Sequence, residues 1–259
     1  MFRQAAGLML ATCVAFLARR TRSLTDGGAI AAIGVGWVAV AAGWDWGSML
    51  VVYFVASALV SRAGHAEKQQ RTASVVGKGG ARDAVQVLAN GGVFAVGALA
   101  MLIQPDIRWM ALAAGSLAAS AADTWATEVG TLGGDRPRSI LSARRVPPGT
   151  SGGVTTIGSL AAVLGAGLVL GLVLGLGWPV RVAELAMVGG LVGAFLDSLL
   201  GASLQSRLWC DACECETERA VHDCGAATRS VRGIAWIDND AVNFISTAVG
   251  GLLAASFAR

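Results

Sequence analysis

Eight apolar stretches, at roughly residues 2–18, 27–44, 46–61, 84–103, 109–130, 154–178, 182–206 and 236–257, alternate with polar segments along the chain. A bilayer's hydrocarbon core is about 30 Å thick and a helix rises about 1.5 Å per residue, so some 17–25 apolar residues make one crossing. In lipid every backbone N–H and C=O must be satisfied within its own segment or within a closed barrel, and these runs are too long for strands. The pattern therefore predicts an all-α polytopic transmembrane bundle of about eight spans, with six to eight as the range. It forms a single integral-membrane domain over residues 1–259. The first and third runs are short and allow a tilted, interfacial or re-entrant course.

Composition strengthens that reading. The chain is 54% hydrophobic and 14% charged, where a soluble domain carries about 25% charge. Its 35 glycines suit helices whose backbones approach closely in lipid.

Charge sets the orientation. The segments 19–26, 62–82, 131–153 and 207–235 hold sixteen of the 20 Lys and Arg residues, Lys78 among them. Arg3, Arg108, Arg181 and Arg259 fall on the other side. The positive-inside rule then places the long loops in the cytoplasm and both termini outside, as an even number of spans requires. The expected location is a prokaryotic inner or plasma membrane, with the functional site toward the cytoplasm. The first run is followed by Arg19, Arg20 and Arg22, not by a small-residue cleavage site, so it reads as a retained helix. A net charge of +3 gives no basis for a nucleic-acid partner.

Four acids interrupt the apolar runs: Asp123, Glu128, Asp197 and Asp240. A carboxylate at the centre of a membrane helix costs about 2.5–3.5 kcal/mol on insertion scales, so each needs a partner or a function. Measured toward the long loops, Asp123 lies about 10 Å deep, Asp197 about 15 Å and Asn90 about 12 Å. Asp240 sits a few residues into its helix. Arg82, Gln86 and Asn90 share one helix face, as do Asp197, Gly201 and Gln205, and Asp240 and Asn243 are i, i+3 neighbours. Asp123 and Glu128, five steps apart, do not share a face. Polar residues in membrane helices also serve as helix–helix contacts, but four carboxylates near one end point to a common polar cavity open to the cytoplasm.

The loop over 131–153 ends in Pro147-Pro148-Gly149-Thr150-Ser151-Gly152-Gly153, and a helix is expected from Val154. Glycines and a helix N-terminus suit an anion, Arg144 and Arg145 would add charge-assisted bonds to phosphate oxygens, and Thr150 or Ser151 would cap the helix. It reads as a cytoplasmic phosphate-binding loop or, equally on these residues alone, as an ordinary capped basic loop. It is neither a Walker A loop nor part of a protein-kinase signature. Carboxylates beside a phosphate loop suit Mg²⁺-assisted phosphoryl transfer. Water-lined carboxylates equally suit an ion or small-solute transporter. Such a transporter would carry inverted repeats and broken helices, and no convincing repeat is visible.

The loop 207–235 holds Cys210, Cys213, Cys215, His222 and Cys224. Cys210-x-x-Cys213 with His222-x-Cys224 is a ligand set of zinc type, although its spacing departs from common fingers. A cytoplasmic setting disfavours disulfides. A small structural zinc site is the preferred reading, with a reduced solvated loop and a redox role as alternatives.

Five stretches taken in order are more specific than any one of them: Arg82-x-x-x-Gln86-Val87-x-Ala89-Asn90-Gly91; Ala122-Asp123-Thr124-Trp125-Ala126-Thr127-Glu128-x-Gly130; Pro147 to Val154; Asp197-Ser198-Leu199-Leu200-Gly201-Ala202-x-Leu204-Gln205; and Trp236-Ile237-Asp238-Asn239-Asp240-x-Val242-Asn243. Together they resemble the DUF92-type membrane family that includes the phytyl-phosphate kinases of plants and cyanobacteria and the transmembrane protein 19 group. The resemblance covers roughly residues 24 to 253. It implies a kinase that converts an isoprenyl monophosphate to the diphosphate with a nucleoside triphosphate and Mg²⁺. A looser likeness to dolichol kinases and phosphatidate cytidylyltransferases keeps CTP open as donor beside ATP, and keeps a CTP-dependent cytidylyltransferase as an alternative. On this reading Asp123, Asp197 and Asp240 hold Mg²⁺, with Glu128 and Asn243 assisting. Arg82, Arg144, Arg145 and the backbone of Gly149, Thr150, Ser151, Gly152 and Gly153 bind phosphates. Gln86, Asn90 and Gln205 orient groups in the cavity.

Overall fold

The computed structural model describes residues 2–72, 75 and 80–259; Lys78, counted above among the loop cations, lies outside them. Eight long helices follow the eight apolar runs: α1 (Phe2–Arg20), α2 (Asp26–Ala42), α3 (Trp44–Arg62), α5 (Ala84–Ile103), α6 (Ile107–Leu132), α7 (Thr156–Gly175), α8 (Val180–Ser203) and α9 (Asn239–Phe257). A short polar helix, α4 (His65–Thr72), was not expected. Its eight residues carry no apolar periodicity by which to find it. The protein is an all-α polytopic membrane bundle, with small strands confined to the loops.

Short polar side chains start the helices where the apolar runs begin. Thr25 Oγ1 accepts from Gly28 N at 3.1 Å, and Asp238 Oδ1 accepts from Ala241 N at 2.9 Å. Asp83 and Gln86 form a full capping box on α5. Thr155, rather than Thr150 or Ser151, caps α7 by accepting from Gly158 N at 3.0 Å. The helix therefore begins at Thr156, two residues later than the sequence suggests.

Five helices (α3, α5, α7, α8 and α9) are long and apolar enough to cross a membrane, and α2 is apolar over 17 residues. The 26-residue α6 is not among them, because it is the centre of the bundle. Residues 111–122, mostly Ala, Ser and Gly, are all buried. A helix surrounded by protein can use small residues for close packing and needs little hydrophobicity. The approach of α7 is an example. A Cβ on Gly165 would stand 2.5 Å from the Ala121 carbonyl oxygen. Gly165→Leu is expected to force the two helices apart and cost about 1–3 kcal/mol, read as a lower Tm of the detergent-solubilised protein.

Polar groups cross the bundle in a connected chain. Tyr53 Oη and Ser120 Oγ are 2.6 Å apart, Ser120 Oγ donates to Asn90 Oδ1 at 2.7 Å, and Asn90 Nδ2 donates to the Gln86 carbonyl at 2.9 Å. These bonds tie α3, α6 and α5 together. At the end with the short loops, Trp178 Nε1 donates to Asp45 Oδ2 at 2.5 Å and its ring packs on Trp46.

Two of the long loops carry short strands. β1 (Arg138–Ser139) pairs antiparallel with β2 (Gly153–Val154), and β3 (Arg207–Cys210) lies between β4 (Cys215–Thr217) and β5 (Arg229–Arg232). Runs of two to four residues are too short to show the alternation that marks a strand in sequence.

Candidate functional site

All four long loops meet at one end of the bundle, around a chamber of about 2380 Å³. Small-molecule pockets span about 300–1,000 Å³, so this chamber has room for two ligands. Of the site residues named from sequence apart from the Cys/His cluster, all but Arg144 line it.

Asp123 comes from α6 and Asp197 from α8, and their carboxylates lie within hydrogen-bonding reach of each other. Glu128 is near enough to act electrostatically on Asp123. Ser246 Oγ of α9 donates to Asp197 Oδ2 at 2.9 Å. Asp240, 4% exposed, lines the same chamber from the first turn of α9, beside the cap residue Asp238. Because α8 stops at Ser203, Asp197 is six residues from its helix end, about 9 Å, rather than 15 Å. Asp123 is nine residues from the end of α6, about 13 Å.

Glu128 has a partner that sequence did not reveal. Lys68 Nζ, on α4, donates to its carboxylate and also to the carbonyls of Val60 at 3.1 Å and Ser61 at 2.7 Å. Arg71 Nη1, one turn on, donates to the Thr131 and Leu132 carbonyls at 3.0 and 3.2 Å. α4 thus caps the C-terminal ends of α3 and α6, where helix carbonyls lack partners. This makes Glu128 as much an anchor for α4 as a member of the acid group. Glu128→Ala leaves the buried Lys68 ammonium without its counterion and should cost about 1–3 kcal/mol. Adding Lys68→Met should recover most of that loss, as followed by thermal melts of the two variants.

Arg82 is fixed by its backbone. Its carbonyl accepts from Thr25 N and its N–H donates to Ser23 O, both at 3.0 Å. Arg145 bridges to Arg138 in extended conformation and lines the chamber. Arg144 does not line the chamber. Arg136 lines the chamber and was not singled out from sequence.

The glycine loop is held by a polar clamp. Ser151 Oγ donates to Glu218 Oε1 at 2.5 Å, Gln205 Nε2 donates to the same oxygen at 2.8 Å, and Arg207 Nη2 donates to the Ser151 carbonyl at 2.5 Å. Burial, and then the nearby Arg232 charge, draw the Arg207 guanidinium below its ordinary pKa, and Glu216 and Glu218 offset this. Ser151 and Gln205 are therefore loop braces, and Gln86 and Asn90 are engaged in the capping box and the helix-crossing chain. The N–H groups of Thr150 and Gly153 are bonded inside the loop's own turns. Arg207 and Glu218 were missed because nothing in sequence pairs a residue of the Cys/His loop with one of the glycine loop.

Beyond the clamp, the donor atoms of Cys210, Cys213, His222 and Cys224 all lie within 4.8 Å of one another.

Fold and site define an integral membrane protein whose polar, cation-lined chamber opens at one end of a helical bundle. The chain belongs to the family described as integral membrane protein DUF92, which matches residues 9–251. It is similar to Protein PGR of Arabidopsis thaliana, with 30% identity covering 95% of this chain and 92% of that one. An uncharacterized membrane protein of Methanocaldococcus jannaschii is 28% identical, covering 95% and 90%. One of Synechocystis is 30% identical, covering 84% and 75%. No solved structure matches the chain significantly. The family read from the five sequence motifs is thus established.

Proposed function

We propose that the protein transfers the terminal phosphoryl group of ATP or CTP to an isoprenyl monophosphate of phytyl or geranylgeranyl type, with its site on the cytoplasmic side. The observation that carries this reading is the Asp123–Asp197 pair, set about two helical turns inside a chamber lined by Arg82 and Arg145 and by the glycine loop. Two ionised carboxylates at such range need a cation or a shared proton. Their hard oxygen donors, open to a chamber large enough for phosphates, fit Mg²⁺. Asp123 and Asp197 would hold the ion, with Asp240 and Asn243 facing it from α9. Bound there, Mg²⁺ would neutralise charge on the phosphates.

The chain's own residues position the reactants. Arg82 and Arg145 would pair with phosphate oxygens, and the clamped glycine loop would approach them with its backbone. An oxygen of the lipid phosphate would bond to the terminal phosphorus of the nucleotide as the bond to the nucleoside diphosphate breaks. No general base is required, since the attacking oxygen is already ionised. A second, apolar groove of about 360 Å³ lies among α1, α2, α3 and α5 and shares Arg82, Gln86 and Asn90 with the chamber. It would seat the isoprenyl tail with the phosphate at Arg82.

The test is product mass. Purified protein is supplied with geranylgeranyl or phytyl phosphate, Mg²⁺ and either ATP or CTP. A lipid diphosphate is expected. A lipid carrying an added nucleotide, or no turnover of either lipid with either nucleotide, overturns the reading.

A further inference from the structure

We infer that Cys210, Cys213, His222 and Cys224 hold a structural Zn²⁺ ion, and that this ion sets the hairpin from which the glycine loop is braced. The metal site stands on its own geometry and does not depend on the proposed reaction.

Zinc in a closed structural site is tetrahedral. With Zn–S about 2.3 Å and Zn–N about 2.0–2.1 Å, the edges of that tetrahedron are about 3.8 Å between two sulfurs and about 3.5 Å between sulfur and nitrogen. Cys210 Sγ and Cys224 Sγ are 3.6 Å apart, and His222 Nδ1 is 3.4 Å from Cys224 Sγ. Both match edges of a single-ion site, and all four donor atoms lie within 4.8 Å of one another. They are far from the S–S bond of about 2.05 Å that a disulfide would show, and the cysteines are free. A disulfide would also leave Cys213 and His222 converging on nothing. Three thiols and one imidazole match a Cys₃His zinc set, whereas iron–sulfur clusters usually take four thiolates.

Two tight turns present the ligands. Cys210 and Cys215 close the β3–β4 ladder as an opposed pair, so Cys210 and Cys213 flank one turn. His222 and Cys224 flank the other, where Gly225 takes φ +84° and donates its N–H to the His222 carbonyl at 2.8 Å. Cys210 and His222 are buried, and Cys213 and Cys224 are exposed. Cys215 is the remaining one of this loop's four cysteines. Its Sγ lies 3.6 Å from His222 Nε2, on the side of the ring away from Cys224. Ligation through Nδ1 would leave the Nε2 proton directed at Cys215, which thereby positions the imidazole without binding the ion.

The hairpin bears directly on the glycine loop. β3 carries Arg207, bonded to the Ser151 carbonyl, and the residue after β4 is Glu218, bonded to the Ser151 hydroxyl. Both strands end at the cluster. A sheet of strands this short has almost no core of its own, and small units of that kind depend on a metal for their folding energy.

The experiment uses the full-length protein purified in detergent without chelators. Elemental analysis should find about one zinc per chain. Cobalt exchange should give the thiolate charge-transfer and visible bands of a tetrahedral site. Cys210→Ser and Cys224→Ser should each lose the metal, whereas Cys13→Ser and Cys215→Ser should keep it. Should Cys224→Ser fail to fold, Cys224→His replaces one zinc ligand by another and should keep the metal, with weaker cobalt–thiolate absorption. Stripping the metal should speed tryptic cleavage after Arg144 and Arg145 about tenfold as the loop loses its brace. Zinc well below stoichiometry even after supplementation, full zinc retention in Cys210→Ser, or a Cys210–Cys224 disulfide would each overturn the site. Unchanged loop cleavage after metal removal would overturn the bracing role.

Discussion

Asp197→Asn is expected to lower phosphoryl transfer by about a hundred- to a thousandfold, the usual cost of removing one group that stabilises charge in the transition state. The substitution keeps the shape of the side chain and its capacity to accept from Ser246. It removes only the charge that answers a metal ion. Insertion, helical content and Tm should be unchanged or improved, because one buried negative group has been taken out of the bundle. Asp123→Asn should behave alike. The double variant should lose little more than either single one, since residues that act as a unit are strongly non-additive. If the carboxylates served only to join α6, α8 and α9, amides would serve nearly as well, and turnover measured on the folded variants would stay near normal.

Gly152→Ala should be the most damaging small change in the glycine loop. Gly152 adopts φ +76°, and a Cβ there would stand 2.5 Å from the Ser198 carbonyl oxygen and 2.6 Å from Ala202 N on α8. Neither atom is at the end of a flexible side chain, so the loop must lift from the helix. A stability loss of about 1–3 kcal/mol is expected from the overpacking, together with a fall in kcat as the backbone leaves the phosphate positions. Gly177→Ala is the control. Gly177 has φ +76° as well, but nothing within 4 Å. It should show only the cost of the left-handed conformation, about 1–2 kcal/mol, with kcat unchanged. Thermal melts and turnover of the two variants side by side separate backbone strain from displacement of the loop.

The eight long helices and the acid positions were legible because each rests on a strong local signal, although the helix ends were not. Apolar runs of crossing length set the eight long helices, and a carboxylate inside such a run is conspicuous. What escaped the sequence depends on contacts across it. Lys68 looks like a loop cation until α4 places its ammonium between the end of α3 and Glu128. Gln205 and Ser151 look like ligand-facing polar residues until Glu218 is found accepting from both. Arg144 and Arg145 are indistinguishable in sequence, and only the folded loop separates the one that lines the chamber from the one that does not. The Cys/His set was legible from its residue types alone, but the strands that bring it together were too short to be read.

Manganese binding followed by electron paramagnetic resonance tests the carboxylate pair most directly, because Mn²⁺ replaces Mg²⁺ and reports its own ligands. Wild-type protein titrated in the presence of a non-hydrolysable nucleotide should bind Mn²⁺ at a site that disappears in Asp123→Asn and in Asp197→Asn. Undiminished Mn²⁺ binding in both folded variants would contradict the account.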